Sequence, residues 1–235
     1  MTQEASMALT GIEACVFDAY GTLLDVRSAT ARLSHELDGK AEQVGALWRQ
    51  RQLEYTWLRS LMGRHGDFWA VTSDALDHAF GALGLRGDDD LKNRLMDAYL
   101  SLDAYPDVAP TLAELRQGGM RTAILSNGTP DMLKAGVDSA GIGDSLDLVL
   151  SIEDVGIYKP HPSVYQLACD RLGLERDRIC FVSSNGWDVA GAATFGFQTV
   201  WLNRFGQERD RLPGDPRLIL RGLDALPALV TRDVR

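Results

Sequence analysis

The run Ala14-Cys15-Val16-Phe17-Asp18-Ala19-Tyr20-Gly21-Thr22-Leu23-Leu24-Asp25 decides how the rest of the chain is read. Its first four residues are apolar and read as a fully buried strand. The strand then stops at an aspartate. In an open parallel sheet ligands sit in the crevice beyond the carboxyl ends of the strands, so a carboxylate there stands where a nucleophile would. Gly21 gives the backbone freedom for a tight turn, and Thr22 can hydrogen-bond back to the carboxylate. Taken alone, the stretch is equally an Asp that ends a strand and opens a turn.

Moving outward, residues 28–102 change character. Residues 46–62 form a long helix by composition, with Leu53, Trp57, Leu58 and Leu61 at helical spacing on one face and Gly63 as the stop. Further helices are expected over 67–83, ended by Gly84, and over 88–100, with an acidic first turn that suits the helix dipole. This insertion is too long for one ordinary crossover. From Tyr105 the pattern alternates. Helices are expected over 108–117, 130–139, 160–172 and 188–195, and strands over 121–126, 146–151, 179–183 and 198–202, the last being the final core strand. A closing helix is expected over 223–230, and 206–216 reads as a surface loop. Repeated strand–helix units imply a parallel sheet with helices on both faces. The expected architecture is α/β, a doubly wound, Rossmann-like parallel-sheet core (residues 9–25 and 103–235) with an inserted all-helical cap (residues 26–102).

The chain has 235 residues and a formal charge of −9, which argues against nucleic acid and anionic membranes as partners. An anionic substrate would therefore need local cations. Cys15, Cys169 and Cys180 are odd in number and have no zinc-site spacing. They read as reduced, buried thiols of a cytoplasmic protein. The first ten residues do not form a signal peptide and are expected to begin disordered. No apolar run approaches membrane-spanning length.

Four predicted strand ends carry polar groups: Asp18, then Ser126-Asn127, then Lys159, then Ser183-Ser184-Asn185-Gly186-Trp187-Asp188. Each has a bland reading as a turn, an exposed loop lysine or a helix cap. Together, on one edge of a parallel sheet, they can converge.

In order, the four segments resemble the motifs of the haloacid dehalogenase superfamily, whose members form a covalent intermediate on the strand-end Asp. Phosphatases of that superfamily carry a second Asp two residues later, as general acid beside magnesium; here that position is Tyr20. A site without that acid suits a leaving group that needs no proton, such as halide. More narrowly, residues 17–23, 183–188 and the cap segment Leu47-Trp48-Arg49-Gln50-Arg51-Gln52-Leu53-Glu54-Tyr55-Thr56-Trp57 are similar to the L-2-haloacid dehalogenases. The resemblance spans about residues 12–204.

It implies that Asp18 attacks C2 of a short (S)-2-haloacid and that water then hydrolyses the aspartyl ester, releasing the (R)-2-hydroxyacid. No cofactor or metal is implied. Lys159 would pair with Asp18 in place of magnesium, and Asp188, with Lys159 and Asn185, would activate the water. Thr22 and Ser183 would hold Asp18. Ser126 and the backbone N–H groups near Ala19 and Tyr20 would bind the substrate carboxylate, and Tyr165 would hydrogen-bond within the site. Arg49 and Asn127 would receive the halide, with Phe68 beside it. Tyr20, Gln50, Leu53 and Trp187 would wall the C2 substituent. From the residues alone Arg49 is a solvated helix charge, while Gln50 and Leu53, three apart, share a helix face. Gly186, where the resemblance leads one to expect alanine, is expected to alter pocket size. The implied partners are a small 2-haloalkanoic acid, water and a second copy of the chain, the long helix having spare apolar surface. The alternatives are fluoroacetate-type defluorination, a magnesium-dependent phosphatase, and a non-catalytic binding module.

Overall fold

The structure is a computed structural model that describes residues 8–85 and 89–232. The expected disorder at the start of the chain and the helix start at Asp88 lie outside these residues. In chain order the strands and helices are β1 (Ala14–Phe17), β2 (Leu24–Asp25), α1 (Ser28–Arg32), α2 (Ala41–Leu61), α3 (Phe68–Leu83), α4 (Asp89–Tyr99), β3 (Asp103–Ala104), α5 (Val108–Gln117), β4 (Arg121–Ser126), α6 (Pro130–Ala140), β5 (Leu148–Ser151), α7 (Pro162–Leu172), β6 (Ile179–Ser183), α8 (Gly186–Phe195), β7 (Gln198–Leu202), β8 (Leu218–Leu220) and α9 (Leu226–Leu229).

Six strands form one parallel sheet in the order β5-β4-β1-β6-β7-β8. β1 lies between β4 and β6, with Phe17 opposite Ile124 and Val182. All four of its side chains are buried because strands and helices cover it on every side. Each such apolar side chain contributes roughly 1.5–3 kcal/mol relative to exposure. The shared register brings Asp18, Ser126-Asn127 and the end of β6 to one level at one sheet edge. Gly21 takes a left-handed φ of +88°, and its N–H donates to Leu24 O at 2.7 Å, closing the turn after Asp18.

Helices α1 to α4 lie between β2 and β3. These two short strands pair antiparallel, Leu24 with Ala104 and Asp25 with Asp103, so the insertion leaves and rejoins the sheet at one point. Neither strand is visible in the sequence pattern, since two residues carry no periodicity.

Helix α2 has 21 residues, about 31 Å at 1.5 Å per residue. It begins at Ala41, earlier than expected. Its buried stripe is Val44, Trp48, Gln52 and Thr56, an i,i+4 row. Leu53 and Trp57 are half-buried, and Leu58, Leu61 and Met62 are exposed, so the apolar face expected from the sequence is not the packed one. Hydrophobicity picked the wrong stripe because Gln52 and Thr56 satisfy their polar atoms within the helical insertion, on Thr72 Oγ1 and Leu53 O.

Other boundaries shift for local reasons. α7 starts at the second of two nearby prolines, Pro162, with the His161 side chain accepting from Ser163 N. α8 begins two residues early, directly after Asn185. β5 starts at Leu148, after a single 3-10 turn over Gly143–Ser145. Residues 198–202 are not the last core strand: β8 adds beyond β7. It has only three residues, and one of them, Ile219, is exposed. The closing helix shrinks to Leu226–Leu229 because Val230 pairs with Leu9 instead.

Candidate active site

Asp18 stands one residue beyond β1 and is nearly buried. Lys159 Nζ donates to Asp18 Oδ1 at 3.1 Å and to Asp188 Oδ2 at 2.9 Å. Thr22 Oγ1 and Asn185 Nδ2 donate to Asp18 Oδ2 at 3.1 and 2.8 Å. Both oxygens of the carboxylate are thus held by donors. Lys159, fully buried, has its ammonium 5.0 Å from the centre of the Phe181 ring. Burial works against its charge, but Asp18 and Asp188 outweigh burial and hold the ammonium above the ordinary lysine value. Burial pushes the Asp188 carboxyl up to about 6, against the pull of Lys159 and with the Asp18 charge adding to the rise. Tyr165 OH donates to Asp188 Oδ1 at 2.8 Å. Gly191 permits this, because a Cβ there would lie 2.6 Å from the Tyr165 hydroxyl.

Two positioning roles differ from expectation. Ser183 does not hold Asp18; its Oγ accepts from Asn185 N at 3.1 Å and so orients the amide that does. The neighbour Ser184 shares Thr22, its N–H donating to Thr22 Oγ1 at 2.8 Å. Ser184 follows the last residue of β6, so its N–H is free of the sheet ladder and can reach Thr22. Ser126 Oγ accepts from Gly128 N at 3.2 Å, and Asn127 Oδ1 accepts from Lys159 N at 3.2 Å, which ties the β4 loop to the lysine. The backbone N–H groups of Ala19 and Tyr20 make no hydrogen bond among the described residues and stay available beside the carboxylate.

The aromatic wall is built from both sides of the insertion. The Tyr20 ring lies 5.7 Å from Phe68 and 5.4 Å from Tyr99. Burial raises its phenol well above the ordinary value, so it is neutral. The position two residues after Asp18 is therefore an apolar ring, with none of the carboxylate that the phosphatase reading requires. Trp187 is half-buried and meets Trp57 of α2 edge-on at 5.3 Å. Leu53 is half-buried. Gln50 is exposed and donates to Glu54 Oε1 at 2.8 Å, so it does not wall the site; one helical step beside Arg49 points it outward. Gly186 does not enlarge the pocket either. A Cβ there would lie 2.5 Å from Asp210 Oδ2, so the glycine accommodates the 206–216 loop.

Arg49 reaches from α2 to the nucleophile's surroundings. It donates to Gln52 Oε1 (2.7 Å), Tyr20 O (3.3 Å) and Asn185 Oδ1 (3.3 Å). All three acceptors are neutral, and no carboxylate pairs with it among the described residues. Its charge is free to meet an anion. A cavity of about 700 Å3 lies on the far side of Arg49, between α2 and the Arg27 and Phe205 side chains; it touches Arg49 and Asn185, but Asp18, Lys159 and Asp188 do not line it. Sequence reasoning missed Gln52, Tyr99 and Thr72. The available signal was Gln52 standing four residues after Trp48 and three after Arg49.

A family model described as haloacid dehalogenase-like hydrolase matches residues 12–196. The chain is 50% identical over 221 residues to (S)-2-haloacid dehalogenase 1 of Pseudomonas sp. (strain CBS-3), covering 94% of this chain and 97% of that one. The chain belongs to the haloacid dehalogenase-like hydrolases. Haloacetate dehalogenase H-2 of Moraxella sp. (strain B) is 41% identical, covering 93% of this chain and 98% of the relative. Among solved structures, L-2-haloacid dehalogenase from Xanthobacter autotrophicus with chloropropionic acid covalently bound superposes with a TM-score of 0.88 at 41% identity, covering 93% of this chain and 98% of that one. No helix among the described residues is long and apolar enough to cross a membrane.

Proposed function

We propose that this dehalogenase-family chain hydrolyses short (S)-2-haloacids to (R)-2-hydroxyacids and halide. The observation that carries the reading is Asp18, held at one oxygen by Lys159 and at the other by Thr22 and Asn185, with Tyr20 where phosphate chemistry would need a second carboxylate. A carboxylate oxygen of Asp18 displaces halide from C2 in line, inverting that carbon and forming an ester. The halide leaves as an anion and takes no proton, so no general acid is needed. Arg49, with its charge unspent, receives it beside Asn127 and Phe68. Water then attacks the ester carbonyl, giving up a proton to Asp188. The bond from the Asp18 carbonyl carbon to the hydroxyacid oxygen then breaks, that oxygen takes the proton back from Asp188, and Asp18, now carrying the water oxygen, loses its remaining proton to solvent. Ser126 and the free N–H groups of Ala19 and Tyr20 orient the substrate carboxylate, and Tyr20, Leu53 and Trp187 enclose its C2 substituent.

Residues 26–102 act as a cap over a core made of residues 9–25 and 103–235. The chain pairs as a homodimer through the exposed end of α2, where Leu58, Leu61 and Met62 are 50%, 85% and 63% exposed. Its three free, buried cysteines suit a reducing cytoplasm.

The test is halide release from L- and D-2-chloropropionate, supplied separately with EDTA present, beside a phosphate-ester control. Halide from the L form alone, with D-lactate as product, is expected. Magnesium-dependent phosphate release without halide would overturn the reading.

A further inference from the structure

Inside the cap, α2, α3 and α4 bury a polar cluster that the reaction as written does not use. Gln52 and Thr72 are essentially inaccessible to solvent, and Tyr99 is nearly so. Gln52 Nε2 donates to Thr72 Oγ1 at 2.7 Å and to Tyr99 OH at 3.1 Å, while Gln52 Oε1 accepts from Arg49 Nη1 at 2.7 Å. Burying a primary amide is unfavourable unless its bonds are made, so this arrangement is specific.

The orientation of the amide follows from the bonds around it. Thr72 Oγ1 spends its only proton on Phe68 O at 2.6 Å, one helical turn back. Toward Gln52 it can therefore only accept, and the Gln52 NH2 must face it. The Gln52 oxygen is then forced toward Arg49. A flipped amide would set acceptor against acceptor at Thr72 and donor against donor at Arg49. Thr72 is itself pinned, because its carbonyl accepts from Trp48 Nε1 at 2.8 Å. The chain Phe68 O, Thr72, Gln52, Arg49 thus transmits a fixed polarity from the first turn of α3 to the guanidinium.

We infer that Gln52 is a positioning residue that aims Arg49 at the departing halide while leaving its charge intact. A glutamate at this position would also hold the guanidinium, but as an ion pair that neutralises it. A neutral acceptor fixes the fork and spends none of its charge. This inference rests on the proposed role of Arg49, so the experiment tests the two separately.

The experiment measures kcat and KM on L-2-chloro- and L-2-bromopropionate, together with inhibition by chloride and bromide, for the wild type, Arg49→Ala, Gln52→Glu, Thr72→Val and the pair Arg49→Ala/Gln52→Glu. Expected for Gln52→Glu is a loss of about tenfold or more in kcat, greater for chloride, the poorer leaving group, than for bromide. Its halide inhibition weakens, and its thermal midpoint falls because a carboxylate has no proton to give Thr72, so the kinetics are read well below that midpoint. Thr72→Val frees the amide to turn and gives a smaller loss in the same sense. In the Arg49→Ala background Gln52→Glu adds nothing further. Equal losses with and without Arg49, or an unchanged chloride-to-bromide ratio in both Gln52→Glu and Thr72→Val, would overturn the positioning role. Wild-type turnover in Arg49→Ala would overturn the Arg49 reading and this one with it.

Discussion

Asp18, Lys159 and Asp188 share one buried ammonium between two carboxylates. Removing the ammonium leaves two acids a few ångströms apart in a dry site, and they cannot both stay ionised. Lys159→Met should therefore protonate one of them, lower turnover by about a thousandfold or more, and destabilise the fold by roughly 3–5 kcal/mol, the usual result of breaking a buried pair. Steady-state kinetics and urea unfolding check the two effects. Asp188 must be ionised to take a proton from water, and its carboxyl lies up at about 6. Ester hydrolysis should thus fall as pH drops through about 6, with full rate above it, in a single-turnover pH profile. For folding the sense is reversed. A carboxyl raised in the folded state favours the protonated form, so this contribution to stability is present at low pH and is lost as pH rises through about 6. The Tyr165 hydroxyl donates to Asp188 and favours its ionised form, so Tyr165→Phe should move the acid limb to higher pH.

Gly191 of α8 faces Tyr165 of α7 and Pro160 just before that helix. A Cβ there would stand 2.5 Å from Pro160 Cβ and 2.6 Å from Tyr165 OH. Gly191→Ala should push the two helices apart at a cost of about 1–3 kcal/mol, separate Tyr165 from Asp188, and let the aspartyl ester build up. Intact-mass measurement during turnover would detect that ester, and an unchanged ester population with a wild-type melting curve would contradict the account. The same contact explains why α8 carries Ala190, Gly191, Ala192 and Ala193 in succession: small side chains allow the helix to lie close to Tyr165 and the sheet. At its other end Gly186 serves the 206–216 loop, so a composition that looks like a pocket feature in the sequence is a packing feature in the fold.

At the scale of the molecule, the helical insertion is fastened at its base and at its far turn, beside the Arg49 and Trp57 contacts to Asn185 and Trp187. The β2–β3 pair joins its two chain ends, and the turn between α2 and α3 meets the loop before Lys159, where the Tyr158 hydroxyl donates to Gly66 O and His65 lies 2.9 Å from Glu153. Between these anchors the exposed end of α2 presents Leu58, Leu61 and Met62. If that face is where two copies pair, Leu61→Lys should yield a monomer in sedimentation velocity while the wild type sediments as a dimer. A monomeric wild type would remove the dimer from the proposal.

The strand-end positions of Asp18 and Asn127 were legible because a buried parallel strand is a short apolar run, and its end is marked by the first polar residues; Lys159, in the loop after β5, and Asp188, in the first turn of α8, lie beyond the strand ends to which the sequence reading assigns them. That Tyr20 stands in place of a second acid was legible only through the resemblance to the superfamily's first motif. The burial of Gln52 rather than Gln50, and the turning of Ser183 to Asn185 rather than to Asp18, were not legible. Neighbouring residues differ only in the direction they leave the backbone, and that direction has meaning only once another element lies across from it. The sequence by itself determined five of the six sheet strands and placed Asp18 at the end of the first; β8, three residues long, escaped it. Only the tertiary structure decided which polar groups on α2 turn inward, because a buried amide is tolerated solely where Thr72 and Tyr99, from other helices, complete its hydrogen bonds.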